Sequence, residues 1–195
     1  LYNAAGQARK VVAELDGLLK PLGFARKKAA WNRRFPDVVE VIDIQVSKAG
    51  DGVTINAGVL DIDAYEKIWG SKPPSFVEEP ACTVRARIGE LLHGRDLWWQ
   101  LGSDGVGGQI AAMVGQRVLP FVELMHSRQA MVQWLTETDV ANKKYPLPII
   151  NLAILQGFLG EMPRACALLA EVQRKALGGW RARAREVAER MGCVS

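Results

Sequence analysis

Between Val38 and Leu60 the chain reads VVEVIDIQVSKAGDGVTINAGVL, and its apolar and polar residues alternate. A strand sends successive side chains to opposite faces. Val38, Glu40, Ile42, Ile44 and Val46 therefore share one side, and Asp43, Gln45 and Ser47 the other. After Gly50-Asp51-Gly52 the pattern repeats, with Val53, Ile55, Ala57 and Val59 against Thr54, Asn56 and Gly58. The pattern predicts two paired strands with one face in a core and the other a polar surface able to hold something.

Around this pair the periodicity predicts further elements. Ala8, Val11, Val12, Leu15, Leu18 and Leu19 recur at helical spacing between Ala5 and Lys20, and Pro21 with Gly23 ends that helix. Phe24 to Phe35 alternates, with Lys27, Ala29, Trp31 and Arg33 opposite Arg26, Lys28, Asn32 and Arg34, and reads as a single edge strand guarded by its cations. Asp61 to Pro80 carries a weaker signal, a helical turn and then a proline-broken loop. Cys82 to Ile88 alternates as a fourth strand, and the aromatic stretch Leu97 to Leu101 reads as a fifth strand or a packed plug. From Ser103 or Asp104 the period becomes helical as far as His126, with a kink at Pro120. Ser127 caps a second helix through Met131, Trp134 and Leu135. The remainder reads as helix, Glu-Met-Pro turn, helix, Gly178-Gly179 break, helix. These elements predict an α+β fold: a first helix on an antiparallel sheet of about four to five strands, then helices that cover it. The expected division is an α+β domain over residues 1–140 and a helical hairpin-like appendage over 141–195.

LLKPLGFARKKAAWNRRF, VVEVIDIQVSK, TINAGV, CTVRARIGEL and DLWWQL follow one another in this order. The series resembles the bacterial family called domain of unknown function 4304 over about residues 8 to 126. In that family an LKPLGF helix end precedes a basic strand, two further strands and a Cys-x-x-Arg-x-Arg-Ile-Gly element. The chain departs from the pattern at Asp43, where an uncharged residue is common, and at Ala57, which replaces a larger apolar residue. The resemblance implies the fold and a candidate face, and no reaction. The C-terminal block resembles a single tetratricopeptide-type helical hairpin, with no second copy to make a solenoid.

The length of 195 residues and the 49% hydrophobic content suffice for a core without metal or disulfide. Cys82, Cys166 and Cys193 are odd in number and far apart, with no CxxC or Cys/His spacing, so neither a disulfide nor a zinc site is expected and a reducing, cytoplasmic setting fits. No apolar run approaches a membrane span, and the N-terminal LYNAAGQARK lacks the apolar stretch of a signal peptide. A formal net charge of +4 falls short of a dedicated nucleic-acid binder.

The candidate site is the polar face. Arg26, Arg34, Asp43, Gln45, Thr54, Asn56, Arg85 and Arg87 would converge there if the strands pair as proposed, with Trp99 as an outward ring. Guanidinium groups beside amides and hydroxyls suit a carboxylate, a phosphate or a partner's acidic patch. A plainer reading has this side facing water, with Asp43 paired to Arg85 or Arg87. His93 and His126 stand in no catalytic motif, although His93 lies near Asp96 as a candidate acid or base. No cofactor or metal is expected. The leading expectation is a binding module for another protein. Two alternatives stay open: nucleic-acid binding through Arg26-Lys27-Lys28, Trp31, Arg33-Arg34 and the Arg-rich last helix, and an enzyme clamping a small anionic substrate with Arg85 and Arg87.

Overall fold

The computed structural model describes residues 4–193. Helix α1 (Ala4–Leu19) is followed by strands β1 (Ala25–Lys27), β2 (Ala30–Arg34), β3 (Val38–Val46) and β4 (Gly52–Asp61). Helix α2 (Ile62–Trp69), strand β5 (Val84–Arg87), helix α3 (Ile88–His93) and strand β6 (Trp99–Gln100) come next. Among the described residues the α-helices α4 (Val106–Met113), α5 (Leu119–Leu124), α6 (Arg128–Glu137), α7 (Pro146–Phe158), α8 (Met162–Lys175) and α9 (Gly179–Met191) follow. The sheet is antiparallel in the order β1-β2-β3-β4-β5, with β6 also on β4, and the fold is α+β as the periodicity predicted.

The long hairpin is as the alternation requires: Ile42 lies opposite Ala57, Asp43 opposite Asn56 and Gln45 opposite Thr54. Its inner face meets α1 and α4 in the main core, where Val11, Leu15, Trp31, Ile42, Ile55 and Ile110 are fully buried. Glu40 is buried among these apolar side chains because Arg33 donates two hydrogen bonds to its carboxylate, at 2.7 and 3.2 Å, and His126 Nε2 stands 2.8 Å away. A carboxylate without such partners would be far too costly to bury.

Phe24 to Phe35 differs from the single strand expected. It folds into the tight hairpin β1-β2, with Lys28 at φ 57° between the two strands. An added turn reverses the facing of every residue before it. Arg26 consequently lies opposite Trp31 on the core side, 3.2 Å from Asp16 of α1, and is absent from the polar face. Trp31 donates its indole N–H to the same carboxylate at 2.9 Å.

The expected kink at Pro120 takes the form of a π-helical segment, Val114–Val118, that joins α4 to α5. Proline has no N–H to give the preceding turn, and a locally widened turn absorbs the mismatch. The helix begins after Gly105 without a side-chain cap, so neither Ser103 nor Asp104 plays that part. Ser127 does cap α6, accepting from the Ala130 amide.

The cysteine expectation is corrected: Cys166 and Cys193 form a disulfide, and Cys82 alone is free and buried. Helix α9 returns along α8 and brings the chain end back to the early turns of α8, a closure over 27 residues that has no local sequence signature. A second core unites Ala64 and Ile68 of α2 with α7, α8 and α9, while Leu152 and Leu155 of α7 belong to the main core. Among the described residues no helix is long and apolar enough to cross a membrane.

Candidate functional site

The face opposite the main core is closed at one end and open at the other. At the closed end the segment after α2 folds over Val39, Val41 and Leu60, and Val77 and Cys82 complete a small third core with them. Asn32 fastens this cover, donating to Val77 O at 3.0 Å and accepting from Val77 N at 2.6 Å. Arg34 donates to Pro74 O at 2.6 Å, so its guanidinium is spent on the loop. Gly58 is required beneath the cover, since a Cβ there would stand 2.6 Å from Cys82 Cβ.

At the open end the register places Asp43, Asn56 and Arg87 side by side across β3, β4 and β5. Asn56 Nδ2 donates to Asp43 Oδ1 and to Gln45 Oε1, each at 3.0 Å. Arg87 donates through Nε to Asn56 Oδ1 at 3.1 Å, through Nη2 to Gln45 Oε1 at 3.1 Å and through Nη1 to Asp96 Oδ1 at 3.0 Å. Asp96 also accepts from Trp98 Nε1 at 2.8 Å, and the Arg87 guanidinium lies 5.5 Å from the Trp98 ring centre. The result is one connected polar network on a rigid sheet.

Gly89 brings Asp96 within reach. A Cβ at this position would fall 2.1 Å from Arg95 O, so only glycine lets the segment after α3 lie directly on that helix. Glu90 closes the first turn of α3 by accepting from the Arg87 amide at 2.7 Å. Arg85 is paired apart from this network, donating from Nε and Nη2 to the two oxygens of Glu79, both at 2.8 Å. Glu79 is buried, and this bidentate pair is what allows its charge there.

An open cleft of about 490 Å³ runs past these groups, with Asn56, Arg85, Arg87, Glu90, Arg95 and Asp96 in its lining. Arg95 makes no hydrogen bond or ion pair with any described residue. Burial pushes the Asp43 carboxyl up to about 6, opposed by the Asn56 hydrogen bond and reinforced by the negative charge of Glu79. Asp96, by contrast, is held below the usual carboxylate range by its bonds from Trp98 and Arg87. Positive and negative groups alternate along the cleft, which suits a polar, mixed-charge surface better than a bare anion.

Of the residues singled out from the sequence, Asp43, Gln45, Asn56 and Arg87 come together, and Arg85 stands beside them. Thr54 lies on the same strand but is fully buried, and its hydroxyl meets no partner among the described residues. Trp99 pairs with Val53 and packs on the main core, while the outward ring belongs to Trp98. The side chain of His93 lies outside the described residues, and its sequence neighbour Asp96 is engaged by Arg87 and Trp98. His126 is committed to Glu40 and to an edge contact with Phe35. Glu79, Glu90, Arg95 and Asp96 were not expected at the site. They come from loops and a short helix, where no periodicity marks them, although the Arg-Ile-Gly run contained the glycine that admits Asp96.

The basic strand is largely consumed within the fold, whereas Arg181 and Arg185 of the last helix stay exposed. Trp31 is buried, Arg26, Arg33 and Arg34 are paired as above, and Lys27 lies over the Phe76 ring. In α9, Arg183 and Arg190 donate to the last carbonyls of α2, Ile68 O from both and Lys67 O from Arg190. Among the described residues no three His, Cys, Asp or Glu side chains are grouped to hold a metal ion. No curated protein and no solved structure was found to match the chain. One family pattern does match it, over residues 15–124, more than half of its length. The helix end, the paired strands, the Arg-x-Arg strand and the glycine that seats the Asp96 segment all fall within those bounds, and the chain belongs to the family described as Domain of unknown function (DUF4304).

Proposed function

We propose that the chain is a non-catalytic binding module that engages another protein through the open end of its polar sheet face. The observation that carries this reading is the fixation of Arg87. Four side chains hold or flank it, yet about a third of it stays exposed in a cleft whose charges are balanced. A guanidinium fixed before binding loses little entropy when a partner's carboxylate or backbone carbonyl meets it. Its own neutralising partners favour a polar protein surface over a free anion. Nucleic acid is the less favoured partner, because most cations of the basic strand are already paired within the fold.

A cytoplasmic location belongs to the proposal, and in that reducing setting Cys166 and Cys193 would stand as neighbouring thiols rather than as the bond seen in the fold. Alkylation of freshly lysed cells tests it, since recovery of an intact Cys166–Cys193 bond would place the protein in an oxidising compartment instead.

The test of function is to isolate a stoichiometric companion from the host at moderate salt with nuclease present, then to reconstitute the pair from purified components. Arg87→Ala, with its fold verified by circular dichroism, is expected to weaken the complex by about 30-fold or more, the size of one lost charged contact. Undiminished affinity in the folded variant would remove the site. Binding abolished by nuclease and falling steeply with salt would transfer the function to nucleic acid.

A further inference from the structure

A groove of about 510 Å³ lies between the start of α7, the end of α8 and the start of α9, and all of its lining residues fall beyond the family match. Its lining is largely apolar. Val172 and Ala176 are its buried part, Ile149 and Trp180 are half-buried, and Leu177 is 83% exposed, an unusual setting for a large apolar side chain. Trp180 is fixed as a wall by edge contacts with Tyr145, ring centres 5.7 Å apart at 87°, and with Trp69. The rim is basic. Lys143, Lys144 and Lys175 line the groove with one carboxylate, Glu171, which Lys175 and Arg174 already approach. Lys143 and Lys144 are exposed, and their ammonium groups meet no hydrogen-bond or ion-pair partner among the described residues. An excess of positive charge around an apolar hollow selects what can fill it.

We infer that this groove is the docking site for an acidic segment of a partner protein, one that sets an apolar side chain such as leucine or phenylalanine between carboxylates. The apolar side chain covers Ile149, Val172 and Trp180, and the flanking carboxylates meet Lys143 and Lys144. Lysine is a compact charge on a flexible stem, so it serves carboxylates whose placing varies along a peptide. Charge argues against a second copy of the chain, because a two-fold contact through this groove would set the lysines of one copy near those of the other. A flat bilayer would reach Leu177 and the lysines and leave the recessed Val172 and Ala176 uncovered. A nucleic-acid strand would satisfy the lysines while bringing polar base edges against apolar walls. The groove is separate from the polar sheet face, so the inference goes beyond the reading given above and does not depend on it.

The test uses the full chain and three peptides at moderate salt. Acetyl-Asp-Glu-Leu-Phe-Asp-Glu-amide carries both features, acetyl-Asp-Glu-Gly-Ser-Asp-Glu-amide the charge alone, and acetyl-Asn-Gln-Leu-Phe-Asn-Gln-amide the apolar pair alone. The methyl resonances of Ile149, Val172 and Leu177 and the indole N–H of Trp180 are followed by NMR. The expected result is saturable shifts at these groups, with the first peptide binding about tenfold or more tightly than either control. Replacing both exposed lysines, Lys143→Gln with Lys144→Gln, is expected to weaken the first peptide about fivefold and to leave the melting temperature unchanged, since neither ammonium has a partner to lose. Equal binding of the first peptide and either control, an unaffected lysine variant, or no shift up to the solubility limit overturns the inference. So does a result in which phosphatidylserine-containing vesicles or oligothymidylate move these resonances and the peptides do not, which would give the groove to a membrane or to nucleic acid. Arg87→Ala is expected to bind the first peptide as the wild type does; a loss there would place the peptide on the polar face and overturn the inference. A partner lost with Arg87→Ala while the peptides fail removes this site and keeps the polar-face reading, and peptide binding in a chain whose partner ignores Arg87→Ala does the reverse.

Discussion

Asp43 combines partial burial, a single amide donor and a sheet position beside Arg87. Its carboxyl titrates near 6, against 3.8 in the free residue, so the sign of its contribution follows from linkage. Below pH 4 it is protonated in both the folded and the unfolded chain and has no effect. Between about 4 and 6 the folded chain holds a proton that the unfolded chain has released, and the stability contributed by Asp43 falls as pH rises. Above 6 the ionised carboxylate is present in both states and its full desolvation penalty remains. Asp43→Asn keeps an oxygen for Asn56 and removes the penalty. It is expected to match the wild type in urea unfolding at pH 4 and to exceed it increasingly up to about pH 6.5, with a constant gain above. A gain that is the same at every pH would show that Asp43 does not titrate in this window. At the same scale, the sequence displayed Asp43, Gln45, Asn56 and Arg87 as neighbours because period-two facing and antiparallel register are local rules. It concealed Asp96 and Glu79 because long-range loop placement is not local.

Among the elements, Asp61 is the joint between sheet and helices. As the residue ending β4 it caps α2, accepting from the Ala64 amide at 2.9 Å, and it also accepts from Arg128 of α6 at 2.7 and 3.2 Å. Arg128 reaches Asp63 as well and lies over the Phe158 ring. Asp61→Ala removes the cap and a charged contact together and is expected to cost about 2–4 kcal/mol in urea unfolding. Asp61→Asn, which keeps an acceptor for the cap, is expected to lose roughly half as much. Equal losses would mean that the cap contributes little. In the sequence Asp61 belonged to a segment of weak signal, and its role becomes visible only once α6 is folded back against the end of β4. The β1-β2 hairpin teaches a related lesson. Alternation persists across a tight turn, so Phe24 to Phe35 looked like one strand, and the turn at Lys28 moved Arg26 to the core face.

For the whole molecule, the Cys166–Cys193 bond closes a 27-residue span and ties the chain end to α8. A crosslink restricts the unfolded chain, and Cys166→Ser is expected to lower stability by about 2–4 kcal/mol. Parallel urea titrations of the wild type with and without reductant check this; coincident curves would show the bond to be idle. Helix α9 is also held through Arg183 and Arg190 to the carbonyl end of α2, where cations favourably meet the helix dipole. Helix α7 belongs to two cores at once.

By itself the sequence determined the α+β class, the first helix, the β3-β4 hairpin with its apolar and polar faces, and the placing of Glu40 on the apolar side. These follow from periodicity, turn residues and propensity, which act over a few residues. The family resemblance added the order of its motifs and the bounds of the matching region. The tertiary structure alone decided which arginines were spent, on Asp16, Glu40, Glu79 and the loop carbonyls, and that Arg87 is held in place yet partly exposed in the cleft. It also decided the disulfide and the seating of Asp96 on α3. Each of these depends on where distant segments meet once the apolar faces have packed, and no spacing along the chain encodes that meeting.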